Sequence, residues 1–154
     1  MSSKEHKYQR ITDQLSELFE KVSNPLSRMA TICAVLHHKH AHFFWTGFYL
    51  IADNGELEVV CYQGPLACMR LKKDIGVCWS GINEKKAIIV EDVNNFPGHI
   101  ACNPLSKSEI VIPLFHADSN DVVGVLDIDS NTLATFDQTD ADMLTKILKL
   151  VYKQ

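Results

Sequence analysis

Apolar residues recur at helical spacing along the first forty residues of the chain. In YQRITDQLSELFEKVSN, Ile11, Leu15 and Phe19 lie four positions apart, as on the buried face of a helix. The dipeptide NP at 24–25 interrupts this pattern, and a second apolar pattern follows in LSRMATICAVLHHK. We therefore predict two helices within residues 1–40.

Short apolar runs bounded by turn residues fill the segment 43–130. FFWTGFYLI and ELEVVCYQG flank the turn DNG, SEIVIPLFH and VVGVLDIDS flank ADSND, and IIVEDV is a further short run. These patterns predict two antiparallel hairpins and one more strand. Helical spacing returns in FDQTDADMLTKILKLVYK, which predicts a C-terminal helix over 137–153. The chain therefore reads as one α+β domain over 1–154, a central antiparallel sheet flanked by N- and C-terminal helices.

The second hairpin carries acidic residues on one face. Because side chains alternate across a strand, positions two apart share a face. One face of the pair then carries carboxylates and valines: Glu109, Val111, Val123, Val125, Asp127 and Asp129. Carboxylates bordered by apolar residues indicate a pocket floor, where burial and like charges raise a carboxyl pKa. The alternative is that the same positions face solvent on a half-exposed sheet.

Composition and charge narrow the class of protein. Of 154 residues, 46% are hydrophobic and 22% charged, and the net charge is −4. This balance is typical of a globular domain and argues against nucleic acid as a partner. No apolar run reaches the ~20 residues of a membrane span. The N-terminus MSSKEHKYQR lacks the apolar core of a signal peptide, so we expect a cytoplasmic protein whose cysteines rest as thiols.

The five cysteines divide into two groups. Cys33 and Cys61 lie within a predicted helix and a predicted strand, where structural roles are expected. Cys68, Cys78 and Cys102 lie in loops or at a helix start, and Cys102 belongs to a loop of about 15 residues, NNFPGHIACNPLSKS. A helix N-terminus would favour the Cys78 thiolate. No close cysteine pair suits zinc, so we expect no metal and favour thiol redox chemistry.

Several motifs together resemble those of the free methionine-(R)-sulfoxide reductases, a stand-alone family with the GAF fold. They are WTGFYL at 45–50, QGPLAC at 63–68, IGVC at 75–78, EDVNNFPGHIAC at 91–102, SEIVIPL at 108–114 and GVLDIDS at 124–130. The resemblance covers about residues 5–150. One departure is that Trp79-Ser80 follows the IGVC cysteine, where the family usually has glycine and a small residue.

The resemblance implies a function and roles for the three loop cysteines. The family reduces the R epimer of free methionine sulfoxide and uses thioredoxin as reductant, with no other cofactor. By similarity, the Cys102 thiolate attacks the sulfoxide sulfur and becomes a sulfenic acid. Cys78 or Cys68 then forms a disulfide with it, and the order of these two stays open. The loops 63–79 and 92–107 would close over the amino acid.

The resemblance also assigns the pocket side chains. Glu109 and Asp127 would polarise the sulfoxide oxygen as acids, and Asp129 would hold the substrate ammonium. Trp45 and Tyr49 would form an aromatic wall around the methyl end of the substrate, although residues of this kind are also common in a plain core.

Two other functions are compatible with the same pattern. One is a non-catalytic GAF domain that binds a small ligand, and the other is a redox-sensing GAF domain that oxidises its thiols without turnover. A homodimer through the N-terminal helices is a further expectation, because their apolar face needs a partner.

Overall fold

A computed structural model describes all residues from Met1 to Gln154. Four α-helices, six strands and one short 3₁₀ helix, Val93–Asn95, follow one another along the chain. The helices are α1 Ser3–Phe19, α2 Pro25–Lys39, α3 Val77–Glu84 and α4 Gln138–Leu148. The strands are β1 Trp45–Ile51, β2 Leu57–Gln63, β3 Arg70–Leu71, β4 Ile88–Val90, β5 Ser108–Phe115 and β6 Val122–Ser130.

The strands form one sheet in the order β3-β2-β1-β6-β5-β4, and every neighbouring pair is antiparallel. The predicted α+β class and both predicted hairpins, β1–β2 and β5–β6, are confirmed. Strand β3 was not predicted, because two residues are too few to show an alternating pattern. The central pair β1–β6 joins the two hairpins, so the first and last long strands lie side by side in the middle of the sheet.

The helix ends follow local capping chemistry. The Asn24 side chain accepts a hydrogen bond from the Leu26 N–H, so the residue that interrupts the first pattern caps α2. Asp137 and Asp140 form a capping box at the start of α4. Helix α4 ends at Leu148, whereas the sequence predicted a helix to 153. After this point the backbone switches to i→i−3 hydrogen bonds and keeps Val151 buried, which extends the apolar pattern beyond the helix.

The two faces of the sheet are covered differently. Helices α1, α2 and α4 pack on one face around a core that includes Tyr8, Leu15 and Phe48. Helix α3 and the loops around it cover the other face. The apolar side of α1 packs inside the chain's own core, which removes the reason given above for a dimer. The oligomeric state stays a prediction. No helix is both long and apolar enough to cross a membrane.

A register shift corrects one side-chain assignment on β6. Leu114 pairs with Gly124 and Phe115 with Val122, so Val123 is an extra residue at the bulge. Val123 packs against the core under the helices, not beside the carboxylates as predicted. Val111 and Val125, beyond the bulge, do lie on the carboxylate face and are fully buried.

Candidate active site

Three carboxylates meet on the face of the sheet that α3 covers. Glu109 on β5 pairs directly with Asp129 on β6, and Val111 pairs with Asp127. Directly paired and alternate residues of antiparallel strands share a face, so this register gathers all three acids. Glu109 and Asp127 are buried, and Asp129 is partly buried. The arrangement is a pocket floor and not a solvent-facing polar strip.

Burial and mutual repulsion favour the protonated form of these acids. Burial, followed by the nearby charge of Asp129, raises the pKa of Glu109 to about 8. Burial also raises the pKa of Asp127 and Asp129 well above the ordinary range, with neighbouring carboxylates adding to it. At neutral pH the cluster therefore holds protons that it can donate.

Several buried polar atoms of the pocket have no hydrogen-bond partner within the protein. They are Oε2 of Glu109, Oδ1 of Asp127 and Nε1 of Trp45. The Nε2 atom of His99 lies 3.5 Å from Glu109 Oε2, and burial lowers the His99 pKa, so this ring is neutral at pH 7. Unpaired buried polar groups are costly, and their convergence on one cavity indicates a polar ligand.

The structure places Cys78 with the carboxylates. Cys78 lies in the first turn of α3, and its sulfur and one oxygen each of Glu109 and Asp127 all lie within 4.8 Å of one another. Burial, then the charges of Asp127 and Glu109, raise its pKa well above that of an ordinary thiol. The prediction that the helix N-terminus activates this thiolate is therefore wrong, because desolvation outweighs the helix dipole.

The other two loop cysteines are joined to each other. Cys68 and Cys102 form a disulfide, with their Cα atoms 5.4 Å apart. Cys102 is exposed and Cys68 partly exposed, so solvent reaches the bond at the mouth of the pocket. The Tyr49 hydroxyl donates a 2.8 Å hydrogen bond to the Cys68 carbonyl and ties this loop to the sheet.

Aromatic rings form one wall of the pocket. The Trp45 and Tyr49 rings are 5.8 Å apart on β1, and Tyr62 on β2 stacks on Trp45 at 5.4 Å. A side chain at Gly47 would lie only 2.3 Å from the Trp45 ring, so this glycine makes room for the indole. Tyr62 was not identified from the sequence. The only indication was its place in the alternating pattern of the predicted strand ELEVVCYQG.

Trp79 leaves the pocket free although it follows Cys78. Its buried ring points into the apolar layer under β3, where Nε1 donates to the Leu71 carbonyl at 3.4 Å. Trp79 does not line the cavity. The presence of Trp79, where the family usually has glycine, therefore changes the apolar packing near Leu71 and leaves the pocket next to Cys78 unobstructed.

The two predicted loops close the cavity. The loop 63–79 contributes residues from Leu66 to Cys78, and the loop 92–107 contributes His99, Ile100, Cys102, Asn103 and Ser106. The cavity volume is about 40 Å³. At roughly 10–15 Å³ for each water molecule, this is room for about three waters. His99 was missed from sequence, although its place three residues before Cys102 was a signal.

The chain is similar to known proteins over nearly its whole length. The sequence profile of the GAF domain matches residues 11–151. The chain is 44% identical over 149 residues to GAF domain-containing protein A of Dictyostelium discoideum, covering 97% of this chain and 92% of that protein. It is 37% identical over 128 residues to the free methionine-R-sulfoxide reductase of Escherichia coli (strain K12), covering 83% and 76%. An X-ray structure of free methionine-R-sulfoxide reductase from Neisseria meningitidis in complex with its substrate superimposes with a TM-score of 0.91 and 38% identity, covering 99% of this chain and 90% of that chain.

Proposed function

The chain belongs to the GAF-domain family and is related within it to the free methionine-R-sulfoxide reductases, and on this premise we propose that it reduces free L-methionine-(R)-sulfoxide to methionine. One observation carries the proposal. Cys102, which pairs with Cys68, and Glu109, a buried carboxyl that holds a proton, line the same small pocket. Sulfoxide reduction needs both, since a nucleophile attacks sulfur while an acid protonates the departing oxygen.

The proposed reaction begins with the reduced enzyme. The Cys102 thiolate attacks the sulfoxide sulfur, and Glu109 donates its proton to the sulfoxide oxygen, with Asp127 polarising the same oxygen. Transfer of that oxygen to Cys102 releases methionine and leaves Cys102 as a sulfenic acid. The Cys68 thiol then attacks the Cys102 sulfur, which forms the disulfide and releases water. Two thiols have supplied two electrons to one sulfoxide.

The Cys68–Cys102 pairing supports Cys68, and not Cys78, as the residue that resolves the sulfenic acid. In this proposal Cys78 remains a protonated thiol on the pocket floor beside Glu109 and Asp127. A dithiol protein of the thioredoxin type then attacks the disulfide from the solvent side, where Cys102 is exposed, and returns the enzyme to its thiol form.

The pocket favours a free amino acid over a sulfoxide within a peptide. The aromatic wall of Trp45 and Tyr49 suits the methyl-sulfur end of the substrate. We assign Asp129 to the ammonium group, because it is the least buried of the three acids and lies next to the last residue of β6, and a bound ammonium favours its ionised form. The loops 63–79 and 92–107 close over the cavity, so a continuing peptide chain would prevent closure and lose the charge pairing.

The test is an assay that couples turnover to NADPH consumption through thioredoxin and thioredoxin reductase. The substrates are free L-methionine-(R)-sulfoxide, the S epimer and a peptide that contains the R sulfoxide. We expect turnover on the free R epimer alone. Cys102→Ser should abolish it, and Cys61→Ser, a cysteine outside the pocket, should retain it.

The opposite result has a clear meaning. If no substrate is turned over while Cys68 and Cys102 still oxidise and reduce reversibly, the reductase proposal fails. A redox-sensing GAF domain would then explain the disulfide. Equal turnover of the peptide would instead overturn only the assignment of the loops as a size filter.

A further inference from the structure

The helix-covered side of the sheet holds a second pair of thiols that the proposed reaction does not use. Cys33 lies on α2 and Cys61 on β2, 28 positions apart in sequence, and their sulfur atoms are 4.0 Å apart. From sequence, each was expected to be a separate structural residue. We propose that Cys33 and Cys61 form a second redox-active thiol pair, which a peroxide oxidises to a disulfide that links α2 to β2.

The two thiols differ in access to solvent. Cys33 is 1% exposed within the core under the helices, whereas Cys61 is partly exposed on β2. An oxidant that diffuses in therefore meets Cys61 first. Cys33 lies behind it, in contact and out of reach of other thiols. This is the arrangement of an attacking thiol and a resolving thiol.

The contact between the two sulfur atoms makes their pKa values differ, in the direction that their difference in exposure suggests. The hydrogen bond between the two sulfur atoms lowers the pKa of Cys61, and the same hydrogen bond, followed by burial, raises the pKa of Cys33. Reactivity follows the thiolate, so the more exposed sulfur is also the better nucleophile. Solvent access and pKa therefore both identify Cys61 as the attacking thiol and Cys33 as the resolving thiol.

The chemistry balances with hydrogen peroxide as the oxidant. The Cys61 thiolate attacks one peroxide oxygen, the O–O bond breaks, and the hydroxide that leaves takes up a proton to become water. Cys61 is now a sulfenic acid. The Cys33 sulfur attacks the Cys61 sulfur, the S–O bond breaks, and the second oxygen leaves as water with the Cys33 proton. The two sulfur atoms have to close from 4.0 Å to about 2.05 Å.

The pair is separate from the candidate active site. Cys33 and the side chain of Cys61 pack with the core under α1, α2 and α4. Cys78 and Cys102 line the pocket on the opposite face, and Cys68 is bonded to Cys102 there. Oxidation of Cys33 and Cys61 therefore does not depend on the proposed reductase reaction.

The experiment counts thiols in the full-length protein. Reduced protein is treated with a few equivalents of hydrogen peroxide, denatured and alkylated. The intact mass, measured by mass spectrometry, then gives the number of alkylated thiols. The reduced chain has five alkylatable thiols. We expect one thiol after oxidation, because each of two disulfides removes two. Digestion after aromatic residues cuts at Tyr62, between Cys61 and Cys68, so the two crosslinks appear in different peptides.

Two variants sharpen the result. Cys61→Ser should fall from four thiols to two, because only the pocket disulfide can form. A variant with Cys68, Cys78 and Cys102 all replaced by serine should fall from two thiols to none. The proposal is overturned if wild type stops at three thiols with Cys33 and Cys61 both alkylated, or if Cys61 ends as a sulfinic acid beside a free Cys33. The triple variant gives the answer even if Cys61→Ser does not fold, which circular dichroism would reveal.

Discussion

On the face covered by α1, α2 and α4, strands β5 and β6 present Ile110, Leu126 and Ile128, each fully buried among apolar neighbours. On the opposite face the same two strands present Glu109 and Asp127, also buried, with polar atoms that no protein group satisfies. The two faces have the same backbone and the same register. They differ in what covers them, regular helices on one side and α3 with long loops on the other.

One face of the sheet therefore mainly stabilises the fold, and the other carries the groups of the proposed reaction. The helical face gains free energy from apolar burial, and large apolar side chains buried there contribute about 1.5–3 kcal/mol each. The pocket face costs free energy, because its carboxyl groups are desolvated and lie close enough together to oppose one another's ionisation. Proteins accept such a cost at functional sites, where perturbed acids are concentrated. The predictions below test whether the two faces can be changed independently.

The largest expected effect is on turnover, from Glu109→Gln. The amide keeps the shape of the side chain but has no acidic proton to donate to the sulfoxide oxygen. We expect kcat for free methionine-(R)-sulfoxide to fall by about 10²–10⁴-fold in the coupled assay. Glu84→Gln, an exposed glutamate at the end of α3, is the matched control and should behave as wild type. Unchanged turnover in Glu109→Gln would mean that another group supplies the proton.

A substitution on the helix-covered face should lower stability and leave turnover nearly unchanged. Leu126→Ala removes a fully buried side chain next to Asp127, and urea denaturation should show a loss of about 2–5 kcal/mol in the free energy of unfolding. The kcat of the fraction that remains folded should stay close to the wild-type value. Val60→Ala, at a position 38% exposed, should change stability little. A collapse of kcat in folded Leu126→Ala would show that the two faces are coupled.

The pocket acids should make the wild-type protein less stable at high pH. The pKa of Glu109 is about 8 when folded and 4.5 in the unfolded chain, so the folded state binds this proton more tightly. The resulting stability is fully present below about pH 4.5 and is lost as pH rises through about 8. We expect the free energy of unfolding to fall between pH 6 and 9, by an amount on the order of a few kcal/mol.

Glu109→Gln provides the comparison for this pH effect. It has no proton to lose, so its stability should fall less over the same range, and at pH 9 it should exceed that of wild type. Denaturation curves for both proteins at pH 6 and pH 9 measure the difference. Parallel curves would show that Glu109 is already ionised in the folded protein at neutral pH.

The smallest expected effect concerns the link between the pocket wall and the loop of Cys68. Tyr49→Phe removes the hydroxyl that donates to the Cys68 carbonyl and should cost about 1 kcal/mol of stability. The freed loop should also raise KM more than it lowers kcat. Tyr62→Phe is the control, because it keeps the ring stacked on Trp45. An equal change in both variants would show that loss of a ring hydroxyl in general, and not this hydrogen bond, is responsible.

Much of the fold and part of the site were predictable from short-range patterns. Alternation along SEIVIPLFH and VVGVLDIDS placed Glu109, Asp127 and Asp129 on one face, and the β5–β6 register agrees. The same rule failed for Val123, because this is the extra residue of a bulge, where the alternation between the two faces is interrupted. Alternation assigns faces, but it cannot locate a bulge or say which face is covered.

The sequence by itself determined the helices, the long strands, the two hairpins and the common face of the three acids, because all of these depend on residues within a few positions of one another. The tertiary structure alone decided that Cys78 is buried beside Glu109 and Asp127, that Cys68 pairs with Cys102 across 34 positions, and that Cys33 contacts Cys61 across 28. A thiol's reactivity depends on its solvation, its neighbouring charges and its nearest sulfur, and these come from segments far apart in the chain. No local pattern encodes them, so they follow only from the packing of α2, α3 and the loops against the sheet.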